Sequence, residues 1–172
     1  MSLLIFGYRK LDIIHRKNEL NYRLMELTRK LSDLQQYSAN IADGSVSMHD
    51  MTNTPGSMFG RQMMFMNYAH NAALFGAQQN MAYMQPQIQM QMQQMQDPNQ
   101  QMMYQNWIFQ SLYKQQREQV AKQEAKLLNA QEKEIEAEKQ KIQTQLQLLE
   151  QEYGACVDGE KKSIQMFKPE YA

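Results

Sequence analysis

One cysteine, one tryptophan, four prolines, few large β-branched side chains, no excess of either charge and no long apolar run mark this 172-residue sequence. Each shortage excludes something. The lone Cys156 cannot close an internal disulfide framework, which suits a reducing compartment. The scarcity of β-branched residues argues against an all-β or doubly wound α/β fold. Eighteen Lys/Arg balance eighteen Asp/Glu, so the chain lacks the positive excess that sequence-independent phosphate binding needs, and nucleic acid is not an expected partner. Nowhere do roughly 18 apolar residues run together, so no membrane insertion is expected. The start is apolar for only five residues after Ser2 and runs straight into Arg9 and Lys10, unlike a Sec signal peptide. The expected location is the cytoplasm or an assembled particle or filament.

What is present in quantity is glutamine, with 27 residues, and methionine, with 16. Gln, Met, Leu and Ala lose little freedom in a helix, so the composition predicts an all-α fold. Charge then divides the chain. Residues 1–36 carry seven basic and four acidic groups, and residues 114–152 carry seven and eight. Between Tyr37 and Tyr113 only Asp43, Asp50, Arg61 and Asp97 are charged. The expected architecture is two or three long helices forming an extended helical hairpin or coiled-coil bundle, with a Met/Gln-rich middle and a short C-terminal tail.

Residues 1–37 read as a heptad helix. Phe6, Ile13, Leu20, Leu27 and Leu34 recur every seven residues. A companion row of Leu3, Leu24 and Leu31 is interrupted by Lys10 and Lys17, while Leu4, Leu11, Ile14 and Met25 widen the apolar face. Residues 38–56 read as a loop, with Asp43-Gly44 and Pro55-Gly56 as turn dipeptides. Residues 57–96 read as a charge-poor helical segment, started by Thr54-Pro55 or Ser57. Its stripe of Phe59, Met63, Met66, His70, Ala73, Ala77, Met81 and Met84 is interrupted at Pro86, which removes a donor and clashes with the preceding turn. In the glutamine-rich tract 85–96 the spacing fits strand or helix; helix is the preferred reading, with disorder in the free monomer as the alternative. Residues 97–153 read as one long coiled-coil helix begun by Asp97-Pro98. Its seven-residue series is Trp107, Ala121, Leu128, Ile135, Ile142 and Leu149, with Lys114 as its polar member. Gly154 is the expected stop, and residues 154–172 are the tail, with a helical turn or two between Asp158-Gly159 and Pro169.

Residues able to do chemistry are few. His15, His49 and His70 sit in no metal, phosphate or dinucleotide motif, and Cys156 has no histidine near it in sequence. No catalytic residue, cofactor or metal site is expected, and an enzyme is not. The methionine clusters 48–51, 63–66 and 90–95 offer thioethers of the kind Cu(I) prefers, a third-ranked reading. Interleaved with Phe59, Phe65, Tyr68 and Phe75, they read first as packing. The leading expectation is a structural protein that associates with itself, and possibly with other structural proteins. Its contact would use Phe59, Met63, Phe65, Met66, Phe75, Met81, Met84, Trp107, Ile108 and Leu112. The coiled-coil seam would be Phe6, Ile13, Leu20, Leu24, Leu27, Leu31, Leu34, Leu128, Ile135, Ile142 and Leu149. The alternative is a helical adaptor or chaperone that presents the Met-rich surface to another protein.

Overall fold

A computed structural model describes residues 2–42, 44 and 46–166, with side chains from Leu4 onward. The expectations placed on Asp43, on the Leu3 side chain and on residues 167–172, Pro169 included, lie outside the described residues. Among the described residues the chain forms four helices and no strand: α1 Ser2–Asn40, α2 Met48–Asn53, α3 Gly56–Met92 and α4 Pro98–Met166. The fold is an all-α helical bundle. Its contacts divide it into two compact units, one of residues 2–31 with 133–166 and one of residues 32–132.

The first unit is an antiparallel pair made by α1 and the later part of α4. Ile13, Leu27 and Leu31 of α1 and Ile142 of α4 are buried, and Phe6, Leu20, Leu24, Ile135 and Leu149 are half-buried. Charge fixes the direction. Arg9 bonds Glu152, Lys10 Nζ lies 2.5 Å from Glu160, Lys17 Nζ 3.2 Å from Glu150 and Arg23 3.1 Å from Glu138. The base always stands on α1 and the acid on α4. Lys10 and Lys17, which interrupt the apolar row, thus reach sideways from it to carboxylates. Hydrogen bonds to Glu152 and Glu160 hold the Arg9 and Lys10 protons more firmly than usual. The Glu26 carboxyl titrates below its ordinary range, first because Lys30 and then because Arg23 donates to it.

The second unit joins the end of α1, α2, α3 and the first part of α4. Leu34, Tyr37, Ile41, Phe65, Ile88, Ile108, Ala121 and Leu128 are buried in it. In the connection, Gly44 has φ +73°, and a Cβ there would come within 3.0 Å of the Arg117 carbonyl oxygen. Glycine is needed on both counts. α2 stands where a loop was expected. Ser47 caps it, its backbone N–H donates to the Asp50 carboxylate at 2.8 Å, and the two form a capping box.

Two expected breaks are absent. α3 runs through Pro86 to Met92. The proline lies in an exposed stretch, residues 82–87, so the carbonyl that loses its partner faces water, while Ala77 and Ile88 on either side stay buried. α4 runs through Gly154 and Gly159 to Met166. Glycine costs a helix interior only about 1 kcal/mol, and contacts with α1 hold this stretch. Phe6 lies against Gly159, where a Cβ would sit 2.9 Å from its ring, and Lys10 bonds Glu160.

Candidate functional site

The feature that sets this chain apart is the outer surface of α3 and of the first part of α4. From Gln62 to Tyr113 Asp97 is the one charged residue. α3 lies against α4 through small side chains, with Ala69, Ala73 and Ala77 wholly buried. At Gly76 a Cβ would come within 3.0 Å of the Gln116 side chain. Helix separation follows the size of the side chains at the contact, so alanine lets the two backbones approach closely. Apart from Phe65 and Ile88, the large residues of α3 are thereby left to its flanks and outer side.

This places the expected self-association residues in three groups. Phe65 and Ile108 are buried core of the second unit, which corrects their assignment to a surface for another chain. Met63, Met66, Met81 and Leu112 are half-buried, and Phe59, Phe75, Met84 and Trp107 are exposed. The buried face of α3 is Gln62, Phe65, Ala69, Ala73, Ala77 and Ile88. It shares Ala73 and Ala77 with the expected stripe but before them is shifted by one residue, with Gln62, Phe65 and Ala69 in place of Met63, Met66 and His70. Sequence reading missed a further set. Met64, Tyr68, Tyr83 and Met90 on α3, and Met102 and Met103 on α4, are each at least 62% exposed, as are Phe75 and Trp107. The spacing of Met64, Tyr68 and Phe75 puts them on one helical face, a signal that was available.

The coiled-coil seam residues are all covered or half-covered, with Leu34 and Leu128 buried in the second unit. The α4 series holds from Ala121 to Leu149 but fails at Trp107, which is exposed and stacks on Tyr104 at 6.3 Å. Toward α3 the covered positions of α4 are Ile108 and Leu112 instead.

Polar groups inside the second unit are mostly engaged with one another. Arg61 Nε donates to Glu124 at 2.7 Å and Nη1 to Gln131 at 2.7 Å, the Tyr37 hydroxyl donates to Glu124 at 3.3 Å, and the Arg61 guanidinium lies 5.6 Å from the Tyr37 ring centre. Burial pushes the Tyr37 phenol well above its ordinary range; Glu124 adds to this and Arg61 opposes it. Buried Gln62 accepts a bond from Thr54, and its Nε2 has no protein partner. The three histidines stand apart. His15 pairs with Glu19 at 3.3 Å, His49 contacts Asn53 at 3.0 Å and His70 contacts the Tyr113 hydroxyl at 2.7 Å. Cys156 is a half-buried free thiol. No cluster of three or more His, Cys, Asp or Glu suited to a metal occurs among the described residues. Met64 is exposed while Met63 and Met66 are half-buried, and Met92 Sδ accepts from Gln105 at 3.2 Å.

Among the described residues no helix is long and apolar enough to cross a membrane. The chain matches no protein-family model, no curated protein and no solved structure.

Proposed function

We propose that this protein is a non-enzymatic structural building block that associates with copies of itself through the charge-poor outer face of its second unit, while the heptad rows of the first unit pack as a coiled coil. One observation carries the reading: eight large apolar side chains stand exposed on a stretch with a single charge. At about 150 to 250 Å² for a large side chain, eight of them some two-thirds exposed leave on the order of 1,000 Å² of such surface. Summed over α3 and α4, that is comparable to the roughly 800 Å² each partner contributes to a stable interface. Between these side chains lie Gln and Asn, which both donate and accept, so identical groups on two copies can bond. Lys and Glu, depleted in interface cores, are missing from it.

Light scattering coupled to size exclusion, with negative-stain imaging of what elutes, tests the reading. The expected species is a discrete oligomer, particle or fibre. Phe75→Lys with Trp107→Lys, both at exposed positions, should disperse it without loss of helical signal. A parent protein that stays monomeric across the concentration range overturns self-assembly through this face. A second reading, an adaptor or chaperone for other proteins, draws on the exposed Met64, Met90, Met102 and Met103, since methionine adapts to varied apolar partners. It predicts a small species that binds an amphipathic helical peptide through the same face.

A further inference from the structure

α1 carries a second apolar row that the fold leaves uncovered. Leu4, Tyr8, Leu11, Tyr22 and Met25 are each at least 68% exposed, and with His15 and Asn18 between them the spacing alternates four and three residues throughout. This row lies on the side of α1 opposite Phe6, Ile13, Leu20 and Leu27, which face α4. The widened apolar face read from the sequence is therefore two seams, of which the first unit fills one.

We infer that the exposed row of α1 is a docking seam for α1 of a second copy, paired parallel and in register. A four-three alternation sustained from Leu4 to Met25 matches the surface of another helix. With Ile5 and Ile14 beside it, the row presents on the order of 800 Å² per copy, about what each side of a stable interface contributes. Charge and Asn18 select the occupant and its direction. Most neighbouring cations are already taken: Arg9 and Arg16 pair with Asp12, Arg23 and Lys30 with Glu26, and Lys10 and Lys17 with α4 carboxylates. Arg29, one step past Met25 on the same row, is the one neighbouring cation without an ion pair among the described residues, too little basic charge to favour an anionic lipid surface. The row is flanked on one side by Ile5, Asp12, Glu19 and Glu26 and on the other by Gly7, Ile14, Asn21 and Thr28. Parallel pairing sets each acid against an uncharged residue: Asp12 against Gly7, Glu19 against Ile14 and Glu26 against Asn21. Antiparallel pairing brings Asp12, with its Arg9 and Arg16 partners, beside Glu19 of the partner twice and separates the two copies of Asn18. Asn18 meets its own copy in the parallel pair and can bond to it, which fixes register.

This inference stands on residues of the first unit and does not rest on the charge-poor face. If both contacts form, each chain has two separate self-complementary surfaces, and assembly propagates beyond a pair.

Cysteine cross-linking of the full chain tests it. In a Cys156→Ser background, Leu11→Cys should yield covalent dimer on mild oxidation, as should Leu4→Cys, because parallel in-register pairing brings each residue to its own copy. Thr144→Cys, on the exposed side of α4, should not. A mixture of Leu11→Cys and Tyr22→Cys chains that cross-links to each other, while neither cross-links to itself, overturns the parallel arrangement. Leu11→Lys with Tyr22→Lys should raise the concentration at which the α1 pair dissociates at least about tenfold. That pair should survive Phe75→Lys with Trp107→Lys, so the two surfaces fail separately. Absence of cross-linking at Leu4 and Leu11, whether or not the chain then binds vesicles of mixed phosphatidylcholine and phosphatidylglycerol, overturns the inference.

Discussion

Replacing Gly154 with alanine tests whether α4 passes through the residue that looks like its stop. Gly154 lies within Pro98–Met166, its φ is not positive, and a Cβ built on it meets nothing within 4 Å. Alanine there encounters no clash and restricts the unfolded chain, so it should stabilise by about 0.5 to 1 kcal/mol. A glycine that ended the helix in the left-handed region would give the opposite sign, since a Cβ in that conformation costs about 1 to 2 kcal/mol. With a urea dependence of about 2 kcal/mol per molar, the expected gain moves the unfolding midpoint up by roughly 0.3 to 0.5 M. Far-ultraviolet circular dichroism during urea unfolding reads it directly, at one fixed protein concentration so that association does not differ between parent and variant. A midpoint that falls or does not move refutes the continuous helix.

On the dissociated chain the same method separates two members of one seven-residue series: Leu128→Ala should cost about 2 to 5 kcal/mol because the side chain is wholly buried, while Trp107→Ala should stay within about 0.5 kcal/mol. Equal losses at both positions would mean that the heptad faces the core along its whole length. Gly44→Ala should destabilise by at least about 1 kcal/mol, from its positive φ alone and more from the Arg117 carbonyl 3.0 Å away, and a neutral result would contradict that close approach. Tyr37 supplies a pH signature. Its phenol titrates higher in the folded protein than in the unfolded chain, so the stability it lends is fully present below about pH 10 and drains away as pH rises beyond that. Thermal melting of the parent should therefore fall more steeply above about pH 10 than that of Tyr37→Phe, and parallel slopes would remove Tyr37 as the cause.

The helical class and the inner heptad rows were legible because they rest on strong contrast. In α1 the row from Phe6 to Leu34 is bordered by lysine and arginine, and every described member is covered. α3 lacks that contrast. Met, Phe and Tyr occur all round it and no charge marks its outer side, so the stripe includes the buried Ala73 and Ala77 but takes Met63, Met66 and His70 where Gln62, Phe65 and Ala69 are the covered residues. Trp107 misled for a related reason. A strict heptad was extended into a part of α4 that also packs against α3, where the covered residues become Ile108 and Leu112. Pro86 and Gly154 are local breakers overridden by contacts distant in sequence, which no reading of nearby residues supplies. α2 was signalled by Ser47 and Asp50, three residues apart, but its six residues carry too little apolar pattern to stand out. The direction of the α1–α4 pair also follows from distant charges, and those become legible only once the helices lie side by side.

The placing of charge along α4 has a consequence for ionic strength. Its later part is held to α1 by bases on one helix and acids on the other, at least partly open to water. Dissolved salt shortens the reach of such attractions to about 8 Å at physiological concentration and to about 3 Å at 1 M. Its earlier part lies against α3 with the Arg61–Glu124 pair as its one cross-helix ion pair among the described residues, and excluded salts such as sulfate favour apolar burial there. Ammonium sulfate should thus favour apolar burial in both units while weakening the ion pairs that border the first, so that sodium chloride and ammonium sulfate at equal ionic strength act differently on it.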